Sequence, residues 1–352
     1  MIFVVKTTHE CNLRCAYCFG NRHQSASTHD IRPVIDRIVE MATGSKIILH
    51  GGEPLLTPVE HLDYVFSRIP SGKRSLQTNL TLMTMEHVDL FRRYGVTVGT
   101  SFDGLGELGR HRGRQEQVHE NIKALLQAGI RVGVIAVLTG SNAGTTQRVD
   151  ALWEQITALG CNFKFNYGIG FDQIPPDDFA DLSLRLFRRA IPLIIEHGRN
   201  IRPFVDYLAN LTGLLPIPSD CSFSGCQIHR QVMGVMPNGD VTFCCRYTDS
   251  PVIGNVFSHS LEELVANPIR DSYLARYDSL RKRQCQGCEA FPVCYGGCLG
   301  EIDPTTGVTF HCQATRGIVR YVLSGAMEKD FPGYDFVAWG QKHVATLTGA
   351  HP

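Results

Sequence analysis

Three cysteines in one short stretch, Cys11, Cys15 and Cys18 within Thr8-His9-Glu10-Cys11-Asn12-Leu13-Arg14-Cys15-Ala16-Tyr17-Cys18-Phe19, carry the first chemistry that the chain offers. Thiolates spaced C-x3-C-x2-C lie in one tight loop. They are close enough to hold three irons of a cubane cluster and to leave the fourth iron open to another ligand. A closed structural zinc site asks for four ligands, so the alternative is a Cys3His site completed by His9 or His23. A second set of cysteines lies beyond residue 220: Cys221, Cys226, Cys244, Cys285, Cys288, Cys294, Cys298 and Cys312. Its C-x2-C pair is equally a zinc-ribbon spacing. Met236-Pro237-Asn238-Gly239-Asp240 reads as a hairpin turn that brings Cys226 and Cys244 together on neighbouring strands. Cys161 and Cys245 complete the inventory, and Cys161, which opens a strand, reads as a small buried hydrophobe.

Two short motifs lie between these sets. In His50-Gly51-Gly52-Glu53-Pro54 the glycines either form an ordinary turn or let backbone approach a ligand closely. Ser101-Phe102-Asp103-Gly104 taken alone is a turn closed by its own side-chain hydrogen bonds. Asp172, Asp177 and Asp178, with Arg202, are substrate contacts or solvated loop charges.

The chain of 352 residues has room for one large or two moderate domains. Lysine plus arginine equals aspartate plus glutamate at 34 each, which gives no field for nucleic acid or for an anionic membrane. No run has the length of a membrane span, and the start of the chain lacks a secretory signal, so a cytoplasmic protein is expected. Thirteen cysteines at metal-ligand spacings in such a chain point to iron-sulfur ligation rather than disulfides.

The elements that must position these residues alternate. Strands are expected at 2–5, 46–49, 75–78, 96–102, 131–137 and 162–166, with helices around 31–39, 58–69, 84–94, 115–128, 145–159 and 177–197. Regular β-α alternation predicts a parallel sheet with helices outside and ligands at the carboxyl ends of the strands, where the cysteine loop and both motifs fall. The prolines of 198–220 read as a bridge, and the alternation stops beyond it.

The pair Cys-Asn-Leu-x-Cys-x-Tyr-Cys-Phe and Gly-Gly-Glu-Pro resembles the radical S-adenosylmethionine (SAM) family, and the second cysteine set with Gly239 resembles its SPASM domain. The resemblance implies an α/β fold: a partial (β/α)6 TIM-type barrel at 1–200, the bridge at 201–220, a cysteine-rich SPASM domain at 221–330 and a tail at 331–352. It implies SAM and three [4Fe-4S] clusters. The first would sit on Cys11, Cys15 and Cys18, an auxiliary one on Cys221, Cys226, Cys244 and Cys298, and another on Cys285, Cys288, Cys294 and Cys312. SAM would be held by Gly51, Gly52 and Glu53 at its amino group, by Tyr17 and Phe19 near its adenine, and by Ser101 and Arg112. Thr78-Asn79-Leu80 departs from the more usual Thr-Asn-Gly and puts the turn there in question.

The resemblance further implies an enzyme that abstracts hydrogen from a C–H of a peptide or small natural-product substrate, with a reductant such as flavodoxin or ferredoxin. Sulfatase-maturing relatives carry an aspartate base where this chain has Cys245. A thiol there suggests a hydrogen-atom donor and epimerisation. The alternative is an oxidative SPASM enzyme that crosslinks a peptide or dehydrogenates an alcohol; a sulfatase maturase or a non-enzymatic metal scaffold stands further off. Only ten residues precede Cys11, so a peptide substrate is expected to dock without an N-terminal leader-binding domain, through another mode or a separate leader-binding protein.

Overall fold

A computed structural model describes residues 1–18, 30–168, 171–212, 232–244, 250–294, 296–298, 301–302 and 307–348. Among them run ten strands, β1 (Ile2–Lys6), β2 (Lys46–His50), β3 (Arg74–Thr78), β4 (Thr97–Ser101), β5 (Val132–Leu138), β6 (Asn162–Tyr167), β7 (Ile201–Arg202), β8 (Val232–Val235), β9 (Asp240–Thr242) and β10 (Val252–Asn255). A helix follows each of β1 to β6, as the sequence periodicity predicts. The chain forms two compact units, one of Met1–Val137, Gln155–Cys161 and Ile228–Arg276, the other of Leu138–Glu154, Asn162–Gln227 and Tyr277–Pro352.

In the first unit β1 to β5 pair in sequence order, all parallel. β8 adds to the free side of β1 in parallel, and β9 and β10 extend the sheet antiparallel, so the sheet is mixed. β5, Val-Gly-Val-Ile-Ala-Val-Leu, shows how the sequence sets the faces: Val132, Val134, Ala136 and Leu138 are buried, and the residues between them are half-buried. The buried face continues through Phe3, Val5, Ile47, Leu49, Leu76 and Val98. The connecting helices bury matching stripes, Val34, Ile35 and Ile38 on Arg32–Met41 and Leu62, Val65 and Phe66 on Val59–Arg68. Each such side chain contributes about 1.5–3 kcal/mol relative to exposure. The other face is only half-buried and carries His50, Gln77, Gly99, Ser101 and Gly133. Gly99 and Gly133 are register partners; the Gln77 side chain covers Gly99, with Oε1 2.2 Å from where a Cβ would stand, and the space over Gly133 is open.

In the second unit β6 and β7 pair in parallel. The helix Pro176–Ile195 buries Leu186, Phe187, Ile191 and Ile194 and packs on Cys312–Leu323, which buries Ile318, Val319 and Val322. Within the segment read as a bridge, β7 is followed by a helix, Phe204–Leu211. Prolines mark the joint, but Phe204, Val205, Tyr207 and Leu208 are apolar enough to dock and are buried. No helix among the described residues is long and apolar enough to cross a membrane.

The departure at Thr78-Asn79-Leu80 has a structural counterpart. Leu80 adopts φ 61°, the left-handed conformation that glycine reaches without cost. The turn forms anyway because Leu80 is fully buried and its backbone is held: its N–H donates to Thr78 Oγ1 (3.0 Å) and its carbonyl accepts from Asn121 Nδ2 (2.8 Å). Leu80→Gly relieves about 1–2 kcal/mol of backbone strain and loses roughly 2–5 kcal/mol of packing. The substitution should therefore lower stability by roughly 0–4 kcal/mol, centred on about 2, in anaerobic urea unfolding. A gain in stability would show that backbone strain outweighs burial at this turn.

Candidate active site

The site in the first unit starts from a seam between two loops. Gly52 N–H donates to the Thr8 carbonyl (2.8 Å) and Glu53 N–H to the Glu10 carbonyl (2.7 Å), clamping the loop after β2 onto the approach to Cys11. The two glycines are what the clamp requires. A Cβ on Gly52 would stand 1.8 Å from the Glu10 carbonyl oxygen, and one on Gly51, at φ 142°, would stand 2.5 Å from that of Thr8. The backbone that approaches so closely is thus the cysteine loop itself.

Glu53 ends this loop with its carboxylate 1% exposed. Its Oε1 accepts from Leu55 N–H (2.9 Å) and Thr78 Oγ1 (2.5 Å), and its Oε2 from Asn79 N–H (2.7 Å). Burial pushes its pKa up, against these hydrogen bonds. The carboxylate thereby knots the end of β2 to the end of β3, a role the sequence does not announce.

Cys11, Cys15 and Cys18 close the loop. Cys18 N–H donates to the Cys15 carbonyl (3.0 Å), and Cys11 Sγ accepts from Leu13 N–H (3.4 Å) and Asn79 Nδ2 (3.7 Å). Burial pushes the Cys15 thiol up to about 11; Arg112 opposes the shift, and Cys18 and Cys11 add to it through their own charge. The three cysteines are therefore near enough for their charges to interact, and a metal centre would have to displace their protons. Tyr17 donates its hydroxyl proton to Asp103 Oδ2 and accepts from Arg112 (3.4 Å). Asp103, 2% exposed, also accepts from Val137 N–H (2.8 Å) and donates its own N–H to Gln115 Oε1 (2.8 Å). The aspartate of the Ser-x-Asp-Gly motif thus bonds to distant residues and anchors Tyr17, where the sequence alone reads as a turn closed on itself. Arg112 Nε is buried with no partner among the described residues. Ser101 lies half-buried at the end of β4, and Phe19 lies outside the described residues.

His50, on the half-buried face, accepts from Gly51 N–H at Nδ1 (2.7 Å), which leaves the proton of the neutral ring on Nε2. Burial, with Lys6 alongside, pushes its pKa down to about 4.

In the second unit Cys285, Cys288, Cys294 and Cys312 form one group. Burial pushes the Cys294 thiol up to about 12, and Cys285, Cys312 and Cys288 add to the shift through their own charge. Cys298 is buried in this unit and Cys244 in the first; Cys221, Cys226 and Cys245 lie outside the described residues. Between Cys298 and Cys312 two buried side chains that sequence reasoning missed come together, His311 Nδ1 standing 3.3 Å from Glu301 Oε2, with the Tyr167 ring stacked on the imidazole at 5.2 Å. Cys161 is 6% exposed. Among the described residues no three His, Cys, Asp or Glu side chains are drawn together as a mononuclear metal site; a cubane spreads its ligands over several irons. Asp172 is structural: its Oδ2 accepts from Ser141 N–H (2.8 Å) and Ser141 Oγ (2.5 Å), capping the turn after β5. Asp177 and Asp178 lie exposed in the first turn of Pro176–Ile195, where they favour the helix dipole.

Residues 5–151 match the radical SAM superfamily, and residues 226–289 match SPASM, an iron-sulfur cluster-binding domain. The serine-type anaerobic sulfatase-maturating enzyme of Bacteroides thetaiotaomicron is 24% identical, over 91% of this chain and 88% of its own. The antilisterial bacteriocin subtilosin biosynthesis protein AlbA of Bacillus subtilis is 25% identical over 74% of this chain, a match that spans 58% of AlbA. The fold is that of native anSMEcpe with bound AdoMet and Kp18Cys peptide, at TM-score 0.78 and 20% identity over 95% of this chain and 99% of that one. This chain belongs to the radical SAM superfamily, carries a SPASM domain and is an enzyme.

Two measurements check this geometry. Gly52→Ala should unseat the cysteine loop, so that iron and sulfide fall by about one [4Fe-4S] equivalent while far-UV circular dichroism is kept; full iron content would refute the clamp. Between about pH 6.5 and 4 an unfolded histidine binds the proton that folded His50 refuses. His50 stabilisation is therefore present above that window and lost as pH falls through it. The stability of His50→Gln should decline less steeply than wild type across this range, and parallel curves would show that His50 does not titrate with unfolding.

Proposed function

We infer that the Cys11–Cys18 loop holds a [4Fe-4S] cluster and SAM, and that the enzyme abstracts hydrogen from a C–H of a peptide or small natural-product substrate. The observation that carries this reading is that three cysteines whose charges interact lie, in one unit, near an arginine whose buried Nε has no partner among the described residues. A donor in that position suits the carboxylate of SAM, since a guanidinium offers a rigid fork of N–H groups. Gly51 and Gly52 hold the loop after β2 at the same place, Tyr17 and Phe19 belong beside the adenine, and Ser101 closes the site from β4. Glu53 contributes by fixing this loop, its carboxylate being engaged by Leu55, Thr78 and Asn79. Cys285, Cys288, Cys294 and Cys312 take one auxiliary cluster. Cys221, Cys226, Cys244 and Cys298 take another, making three clusters in all.

When bound, these groups supply one-electron chemistry, splitting SAM to methionine and a 5′-deoxyadenosyl radical and returning an electron to an oxidised sulfur. The chain's residues shape the rest. The half-buried face of β2 to β5, open at Gly133, gives the substrate room. Cys245 gives its sulfur-bound hydrogen atom to the substrate carbon radical, and the sulfur then takes up one electron and one proton. Abstraction from one face and donation to the other inverts a centre at unchanged mass. A peptide substrate is favoured because AlbA is named for bacteriocin biosynthesis and anSMEcpe was captured with a peptide. Reduction calls for a flavodoxin or ferredoxin, and a separate leader-binding protein is the partner that a peptide substrate would bring.

The test is anaerobic turnover with the candidate substrate encoded beside the enzyme, in water and in deuterium oxide. Unchanged mass in water, a gain of about one unit in deuterium oxide and an inverted centre support Cys245 as donor, because a thiol exchanges with solvent. Cys245→Ala should stop inversion and spare SAM cleavage, whereas Cys15→Ala should stop both. A loss of about two mass units in both solvents would assign oxidation instead. About twelve irons per chain are expected from three clusters, and zinc in their place would sink the radical reading.

A further inference from the structure

A hydrogen bond to sulfur singles out Asn79, the residue after β3. Its side chain is buried, with the residue 6% exposed. Its Oδ1 accepts from Thr81 N–H (2.9 Å) and from Thr81 Oγ1 (2.6 Å). Thr81 Oγ1 in turn accepts from Asn12 Nδ2 (2.7 Å), so its own proton is directed to Asn79. Two donors on one side of the amide fix which way it faces. A flipped amide would set its N–H groups against the Thr81 N–H. Nδ2 therefore points the other way, where one hydrogen serves Asn12 Oδ1 (2.9 Å) and the other Cys11 Sγ (3.7 Å). The backbone is equally committed, since Asn79 N–H is held by Glu53 Oε2 (2.7 Å).

We propose that Asn79 is a positioning residue for the first cluster, whose amide hydrogen on Cys11 sulfur makes that cluster easier to reduce. The proposal rests on the reading of Cys11 as a cluster ligand. A cluster gains negative charge on reduction, and hydrogen bonds to its sulfurs stabilise that charge and raise the potential. Leu13 N–H gives the same sulfur a second hydrogen bond from within the loop (3.4 Å). Asn79 differs in coming from another strand end, so the potential is set by how β3 meets the cysteine loop.

The test is an anaerobic dithionite titration of the reconstituted full chain. It is followed by electron paramagnetic resonance on the cluster whose spectrum changes when SAM is added. Asn79→Asp keeps the Oδ1 acceptor and replaces the donor by an oxygen; Asn79→Ala removes both. With wild-type iron and sulfide, each should raise the oxidised-to-reduced ratio at fixed poise by about tenfold, about 59 mV for one electron. Thr81→Val takes one donor from Asn79 Oδ1, leaves the bond to Cys11, and should shift the ratio by less than about twofold. An unchanged potential in both Asn79 variants overturns the proposal. So does an equal shift in Thr81→Val, which would make the effect one of loop mobility. Should the Asn79 variants lose iron, Asn79→Gln, which keeps a donor amide, should restore content and potential; no recovery also overturns it. The underlying reading fails separately, if Cys11→Ala leaves iron content and the SAM-responsive spectrum as in wild type.

Discussion

The contact on which the first unit's site depends is backbone against backbone. Gly52 and Glu53 give their N–H groups to the carbonyls of Thr8 and Glu10, and no side chain fits between. The loop after β1 would otherwise be free to place its cysteines in many ways, at a conformational cost of about 1–2 kcal/mol for each residue that must be fixed. Two short hydrogen bonds to the next strand's loop remove much of that freedom before any ligand arrives. From this seam the order spreads sideways. Glu53 fastens the end of β3, Asn79 reaches back from β3 to Cys11, and Asp103 at the end of β4 holds Tyr17. Each strand end adds one tie to the same loop.

These ties are costly in isolation. Glu53 and Asp103 are carboxylates taken almost wholly out of water, and burial raises the pKa of each. Their hydrogen bonds come from backbone N–H groups and hydroxyls fixed by the sheet, so the acceptors are satisfied without movement. The same geometry leaves Arg112 Nε as a buried donor with nothing described to receive it. A site in which most polar groups are satisfied and the Arg112 Nε donor is not is shaped for a ligand that brings an acceptor.

Much of this was legible in the sequence, for identifiable reasons. The strands of the first 200 residues show in apolar runs such as Ile47-Ile48-Leu49 and Val132–Leu138, because strands of a parallel sheet covered on its faces are apolar almost throughout. The cysteine spacings show because thiol ligands leave little latitude in position. What stayed hidden is of two kinds. Phe204-Val205-Asp206-Tyr207-Leu208 forms a buried helix in a segment whose prolines read as a linker, since proline reports local breaks and not what lies between them. The second kind is the exchange of partners between distant residues. The contacts of the Glu53 carboxylate with Leu55, Thr78 and Asn79 are not announced by its motif, and nothing in Glu301 or His311 taken singly foretells that they meet between two cysteines.

That pair bears on how the second unit keeps its cysteines in order. A closed four-thiol site gains much of its stability from the metal, and the polypeptide between ligands can then be irregular. Here the segment from Cys298 to Cys312 is fastened independently: Glu301 N–H donates to the Cys298 carbonyl (3.0 Å), Cys312 N–H to that of Thr309 (3.0 Å), and the carboxylate meets the imidazole in the protein interior. The two units thus share one design. Backbone hydrogen bonds fix the described parts of the cysteine loops, and a buried carboxylate stands beside each, so that part of the loops' order comes from the fold and not only from what they bind.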